Sequence, residues 1–122
     1  MRIPDARELT QKERSLLERL LSHGTAESKP YIEQLPRVTV ASRCGCGCPT
    51  IDLAVGERVA FKRSPTLILS EAGGVSPEGV PFGIILHARE GLLSELETYP
   101  IEDAAFTLPD IDQIDFYEIK DL

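Results

Sequence analysis

Apolar residues recur at helical spacing near the start of the chain and in alternation further on. Leu16, Leu17, Leu20 and Leu21 form one stripe at a 3.6-residue period. Thr10-Gln11-Lys12-Glu13 reads as a capping box just before it. Ser22-His23-Gly24 closes the segment, with Gly24 suited to a left-handed position after the last turn. The pattern predicts a helix from Gln11 to Ser22. A shorter one is expected from Pro30 to Leu35, because Pro30 fits a first turn and Tyr31, Ile32 and Leu35 give it an apolar side.

From Arg37 onward the period drops to two. Val38 and Val40 are apolar at even positions, whereas Ile51, Leu53 and Val55 are apolar at odd ones. A hairpin that folds back between them exchanges parity on one face. Residues 37–55 therefore predict a hairpin with a tight turn. A turn at Gly45-Cys46 pairs Val40 with Ile51, and one at Gly47-Cys48 pairs Val40 with Val55. Pro65 to Ser70 predicts a third strand, and the Gly- and Pro-containing run Ala72 to Gly79 a loop. Phe82 to Ala88 and Leu92 to Tyr99 predict a second hairpin. Glu90 resists positive φ, so a Gly91 bulge pairing Ala88 with Leu92 is expected, with His87, Glu95 and Glu97 on the solvent face. Phe116 and Ile119 are candidates to anchor a short last strand. The expected fold is α+β: one or two N-terminal helices on an antiparallel sheet of about five strands built from hairpins. A chain of 122 residues makes this one domain, with a helical segment over 1–36 and a sheet segment over 37–122.

Charge adds an asymmetry. The net charge is -7, yet residues 95–122 alone carry nine acidic side chains and one basic one. Such a segment repels phosphate backbones, which argues against nucleic-acid binding. It would attract a basic protein partner, with Glu95, Glu97, Asp110, Asp112 and Asp115 as the candidate contacts. An acidic surface is also the ordinary route to solubility. No apolar run is long enough to cross a bilayer. The N-terminal residues lack a signal-peptide core, and three cysteines do not close a disulfide framework. A reducing, cytoplasmic setting is expected.

The three cysteines, Cys44, Cys46 and Cys48, fall within five residues and are separated by glycines. Three readings stand side by side. They are small hydrophobes in a tight hairpin, with Cys44 in phase with Val38 and Val40. They are ligands for a soft metal, zinc or copper, although a fourth ligand is missing and Asp52 is poorly placed. Or they are reactive thiols, for which Arg43 is the only cation nearby in sequence. No hydrolytic or phosphate-binding motif accompanies them, and a non-enzymatic role is expected.

Arg43-Cys44-x-Cys46-Gly47-Cys48-Pro49-Thr50-Ile51-Asp52-Leu53, with the Leu9-Thr10-x-x-Glu13 start and Gly91-x-Leu93-x-x-Leu96-Glu97-x-Tyr99, resembles a family of small uncharacterised bacterial proteins. The resemblance spans roughly residues 8–110. It implies a single-domain bacterial protein without assigning chemistry. The likeness also extends to small acidic domains among candidate immunity proteins for secreted toxins, which makes an immunity-type inhibitor of a basic partner an expectation consistent with the acidic C-terminal segment.

Overall fold

The computed structural model describes residues 1–117. Seven strands and two helices follow the order β1 (Arg2–Arg7), α1 (Gln11–His23), α2 (Lys29–Ile32), β2 (Val38–Cys44), β3 (Ile51–Val55), β4 (Leu67–Val75), β5 (Pro81–Arg89), β6 (Leu92–Pro100) and β7 (Ile114–Tyr117). They form one antiparallel sheet in the order β1-β2-β3-β6-β5-β4-β7. The class is α+β as expected, with seven strands in place of about five.

The capping box forms as the sequence predicts. The Thr10 hydroxyl accepts from the Glu13 amide, and the Glu13 carboxylate accepts from the Thr10 amide. Leu16, Leu17, Leu20 and Leu21 are all buried. Helix α1 lays them on one sheet face, against Leu69 and Ala72 of β4 and Ile84 and Leu86 of β5 within a single core. The helix reaches His23, whose ring stacks on Phe116 of β7 at 5.4 Å. Helix α2 is one turn long, and Leu35 lies in a separate 3-10 turn, Leu35–Arg37. Gly24 is extended (φ -78, ψ -170) rather than left-handed. Its need for glycine is spatial: a Cβ there would collide with the backbone oxygen of Leu69.

The extra strands come from two places. β1 pairs along β2 at one edge of the sheet. Its proline and its charges suit an edge strand, which need not donate every amide. β7 pairs with β4 at the other edge; Phe116 belongs to it, and Ile119 lies outside the described residues. β4 also runs through Ala72-Gly73-Gly74-Val75, the stretch expected to be loop, and pairs there with Gly83, Phe82 and Pro81 of β5. The glycines are extended strand residues under close cover. A Cβ on Gly73 would stand 2.5 Å from the Tyr117 hydroxyl.

Both hairpins form, with shifted registers. In the first, Val40 pairs with Leu53, between the two expected alternatives, and a bulge between Val40 and Ser42 brings Ser42 opposite Asp52. In the second, Arg89 pairs with Leu92 across a two-residue turn in which Glu90 (φ 54) and Gly91 (φ 74) are both left-handed. Glu90 is held there by its side chain: Oε1 accepts from the Phe61 amide at 2.6 Å and the Ser64 hydroxyl at 3.0 Å. These bonds offset the cost of positive φ for a residue with a Cβ, of order 1 kcal/mol.

Candidate functional site

The bulge in β2 decides where the cysteines go. Before it, Val38 and Val40 face the core; after it, Ser42 shares the face of Asp52, opposite to that of Leu53. Cys44, two residues on, therefore leaves the core side and pairs with Arg2 of β1. This removes the basis for reading Cys44 as a core hydrophobe in phase with the valines. The chain then makes a loop from Gly45 to Thr50, closed by the Cys44 amide donating to the Thr50 carbonyl at 3.1 Å. Gly47 takes φ 85 at its tip, a conformation that favours glycine.

The loop gathers the three sulfurs. Cys44 Sγ and Cys46 Sγ are 2.8 Å apart, and the Cys48 amide donates to Cys46 Sγ at 3.3 Å. All three Sγ atoms lie within 4.8 Å of one another. Two thiolates bound to one zinc ion at about 2.3 Å each stand at most about 4.6 Å apart. Tetrahedral coordination sets such sulfurs about 3.8 Å apart, so sharing one ion requires the Cys44 and Cys46 sulfurs to separate by about 1 Å. Among the described residues, no histidine or carboxylate completes the group. A cavity of about 330 Å³ opens beside it, walled by Cys46, Cys48, Pro100, Asp103 and Phe106.

Hydrogen bonding splits the thiols electrostatically. Cys44 is lowered to about 7, first by the Cys46 side chain, with smaller help from Cys48 and the Arg2 guanidinium. Cys46 is pushed up to about 11, because its thiol is held by Cys44 and Cys48 and a second negative charge beside the first is opposed. The two protons leave as a coupled pair. The cation beside Cys44 is Arg2, which sequence distance concealed; Arg43 flanks a second groove, between the loop and the start of α1, that Gly47 and Cys48 also line.

Arg2 also ties the site to a charged network on the face away from the helices. Its Nη2 donates to Glu95 Oε2 at 2.7 Å, and its Nε lies 3.1 Å from Asp52 Oδ2, a charge contact without hydrogen-bond alignment. Asp52 is 3% exposed and also takes Lys62 Nζ at 2.7 Å and the Ser42 hydroxyl. Burial pushes the Asp52 carboxyl up, and Lys62, Ser42 and Arg2 outweigh it, leaving it below its ordinary value. Asp52 is therefore engaged as a structural anion beside the sulfurs.

The other candidate residues do not converge. Glu95 is also paired with Arg89 at 3.2 Å. Glu97 Oε1 lies 2.7 Å from His87 Nε2, and His87 Nδ1 lies 2.7 Å from the Thr66 hydroxyl. His87 is buried between them, where a solvent-facing side chain was expected. Asp110, Asp112 and Asp115 are exposed near β7, beyond β5 and β4 from those glutamates.

No protein family, curated protein or solved structure matches the chain. No helix among the described residues is long and apolar enough to cross a membrane.

Proposed function

We propose that this protein binds a single soft metal ion, zinc or copper(I), through Cys44, Cys46 and Cys48. The observation that carries the reading is the gathering of three sulfurs within 4.8 Å at one loop tip. Thiolate donors select soft ions. The bulge, the Gly47 turn and the Arg2 cation all favour a thiolate cluster over packed thiols. Three protein ligands with an accessible flank suit an exchangeable ion better than a closed structural site.

The alternative, an acidic interaction domain inhibiting a basic partner, draws less support. Of its five candidate contacts, Glu95 and Glu97 are already engaged by Arg2, Arg89 and His87 and Asp110 lies 4.0 Å from Lys12 Nζ, while Asp112 and Asp115 are exposed. A bacterial origin and a cytoplasmic setting remain part of the proposal on sequence grounds.

Elemental analysis of protein purified under reducing conditions without chelator tests the metal reading. About one equivalent of zinc or copper is expected, falling below a tenth of an equivalent in Cys46→Ser. Wild-type protein that binds neither ion when titrated with each, its thiols reduced, refutes the reading.

A further inference from the structure

Cys44 Sγ and Cys46 Sγ stand 2.8 Å apart, roughly 0.8 Å beyond the length of a sulfur–sulfur bond. Cys46 is exposed and Cys44 half-buried, so a small oxidant reaches the pair without the fold opening. The single glycine between them, Gly45, is anchored, its amide donating to the Met1 carbonyl at 2.7 Å, whereas the loop beyond bends at Gly47, where a Cβ would meet nothing within 4 Å. The movement that closes the remaining gap therefore falls on the Cys46–Gly47 side. Cys48 approaches Cys46 through its backbone amide, so the first two sulfurs are the pair poised to join.

We propose that Cys44 and Cys46 form a reversible dithiol–disulfide couple whose oxidant is a hydroperoxide, and that its oxidation discharges the metal ion. The couple stands on the sulfur geometry alone; the discharge rests on the metal reading above. The thiolate of the pair attacks the terminal oxygen of the hydroperoxide. A sulfur–oxygen bond forms, the oxygen–oxygen bond breaks, and the alkoxide or hydroxide leaves and takes a proton. The sulfur is now a sulfenic acid. The second sulfur attacks it as its proton is lost: a sulfur–sulfur bond forms, the sulfur–oxygen bond breaks, and hydroxide leaves with that proton as water. Two thiols and one hydroperoxide give one disulfide, one alcohol (water, for hydrogen peroxide) and one water. A small dithiol reverses the step by exchange, and a bridge across one residue, exposed and strained, belongs to the labile class. With two sulfurs consumed, Cys48 is the one free sulfur ligand left in the cluster.

The experiment treats the full chain, freed of metal and reduced, with one equivalent of hydrogen peroxide, then alkylates it. A mass loss of two hydrogens with a single label on Cys48 is expected, along with recovery of all three labels after dithiothreitol. The oxidised protein should hold less than a tenth of the zinc or copper(I) that the reduced protein takes up. Cys48→Ser should still form the bridge, and Cys46→Ser should not form one to Cys44. Three labels after peroxide, a label on Cys44 or Cys46, or a gain of two oxygens on one sulfur overturns the couple. A reduced protein that forms the bridge yet takes up neither ion leaves the couple standing and refutes the metal reading. Undiminished metal uptake by the bridged protein refutes the discharge.

Discussion

Arg2 faces Cys44 across the β1–β2 ladder, on the sheet face turned away from α1. The same guanidinium reaches Glu95 at 2.7 Å. An edge strand thus supplies the cation of the sulfur site, and two carboxylates fix that cation in place. A positive charge beside a thiol favours the thiolate.

The pH profile of alkylation follows from this arrangement. Cys44, lowered to about 7, should be the first thiol to react, its rate half-maximal near that pH in metal-free protein and falling as acid protonates it. The Cys46 hydrogen bond contributes more than Arg2 to the lowering. Cys46→Ala should therefore move the midpoint upward, toward the ordinary thiol value of about 8.5. Arg2→Ala should move it in the same direction by less. Iodoacetamide kinetics across pH measure both; a downward move in either variant contradicts the assignment.

Asp52 gives a stability prediction with a sign. Its folded pKa lies below the unfolded value, so its contribution is fully present above about pH 4 and is lost as pH falls through the folded pKa. Asp52→Ala should cost about 2 kcal/mol at neutral pH, less than for a fully enclosed pair because Lys62 is half exposed and can turn to solvent. The variant should also lose less of its remaining stability than wild type on acidification below pH 4. Urea midpoints across pH measure both effects.

The helix cap should behave independently of the site. Thr10→Ala removes the acceptor of the Glu13 amide and should lower stability by about 1 kcal/mol. Metal uptake should be unchanged, because Thr10 touches none of the sulfurs. Thermal denaturation and metal titration of the same variant separate the two readouts.

How legible the molecule was depended on the period of the signal. The Leu16–Leu21 stripe and its cap predicted α1 to within a residue at its C-terminal end. The parity change between Val40 and Ile51 predicted a hairpin with the cysteines at its tip. What parity hid was its own source: part of the register comes from a bulge at Ala41, and that bulge sends Cys44 to the other face. β1 was illegible because six residues holding a proline and three charges resemble a polar leader, and only pairing with β2 makes them a strand. Arg2 was missed with it, since the cation near Cys44 comes from 42 residues away in the chain. Gly73 and Gly74 read as loop because glycine is poor in strands by propensity, yet Tyr117 and Phe82 crowd these positions and leave no space for a larger side chain.

Two glycines under similar crowding should respond differently to alanine. A Cβ on Gly24 meets the backbone oxygen of Leu69, and the Thr25 amide donates to that oxygen at 3.0 Å. Relief would require α1 and β4 to separate, across the contact that buries the Leu20 and Leu21 stripe. A Cβ on Gly83 meets the far end of the Tyr99 ring, and Tyr99 is 40% exposed, so the ring can swing into solvent. Gly24→Ala should cost about 3 kcal/mol, at the upper end of overpacking penalties, and Gly83→Ala about 1. The double variant Gly83→Ala with Tyr99→Ala should recover part of the smaller loss, because the colliding ring is gone. Trimming a side chain helps Gly24 less, because its tightest obstacle is the Leu69 main chain, with the Ser28 side chain next at 2.8 Å. Chemical denaturation of the four proteins orders the costs, and a Gly83→Ala penalty exceeding that of Gly24→Ala contradicts the distinction between a yielding ring and a fixed carbonyl.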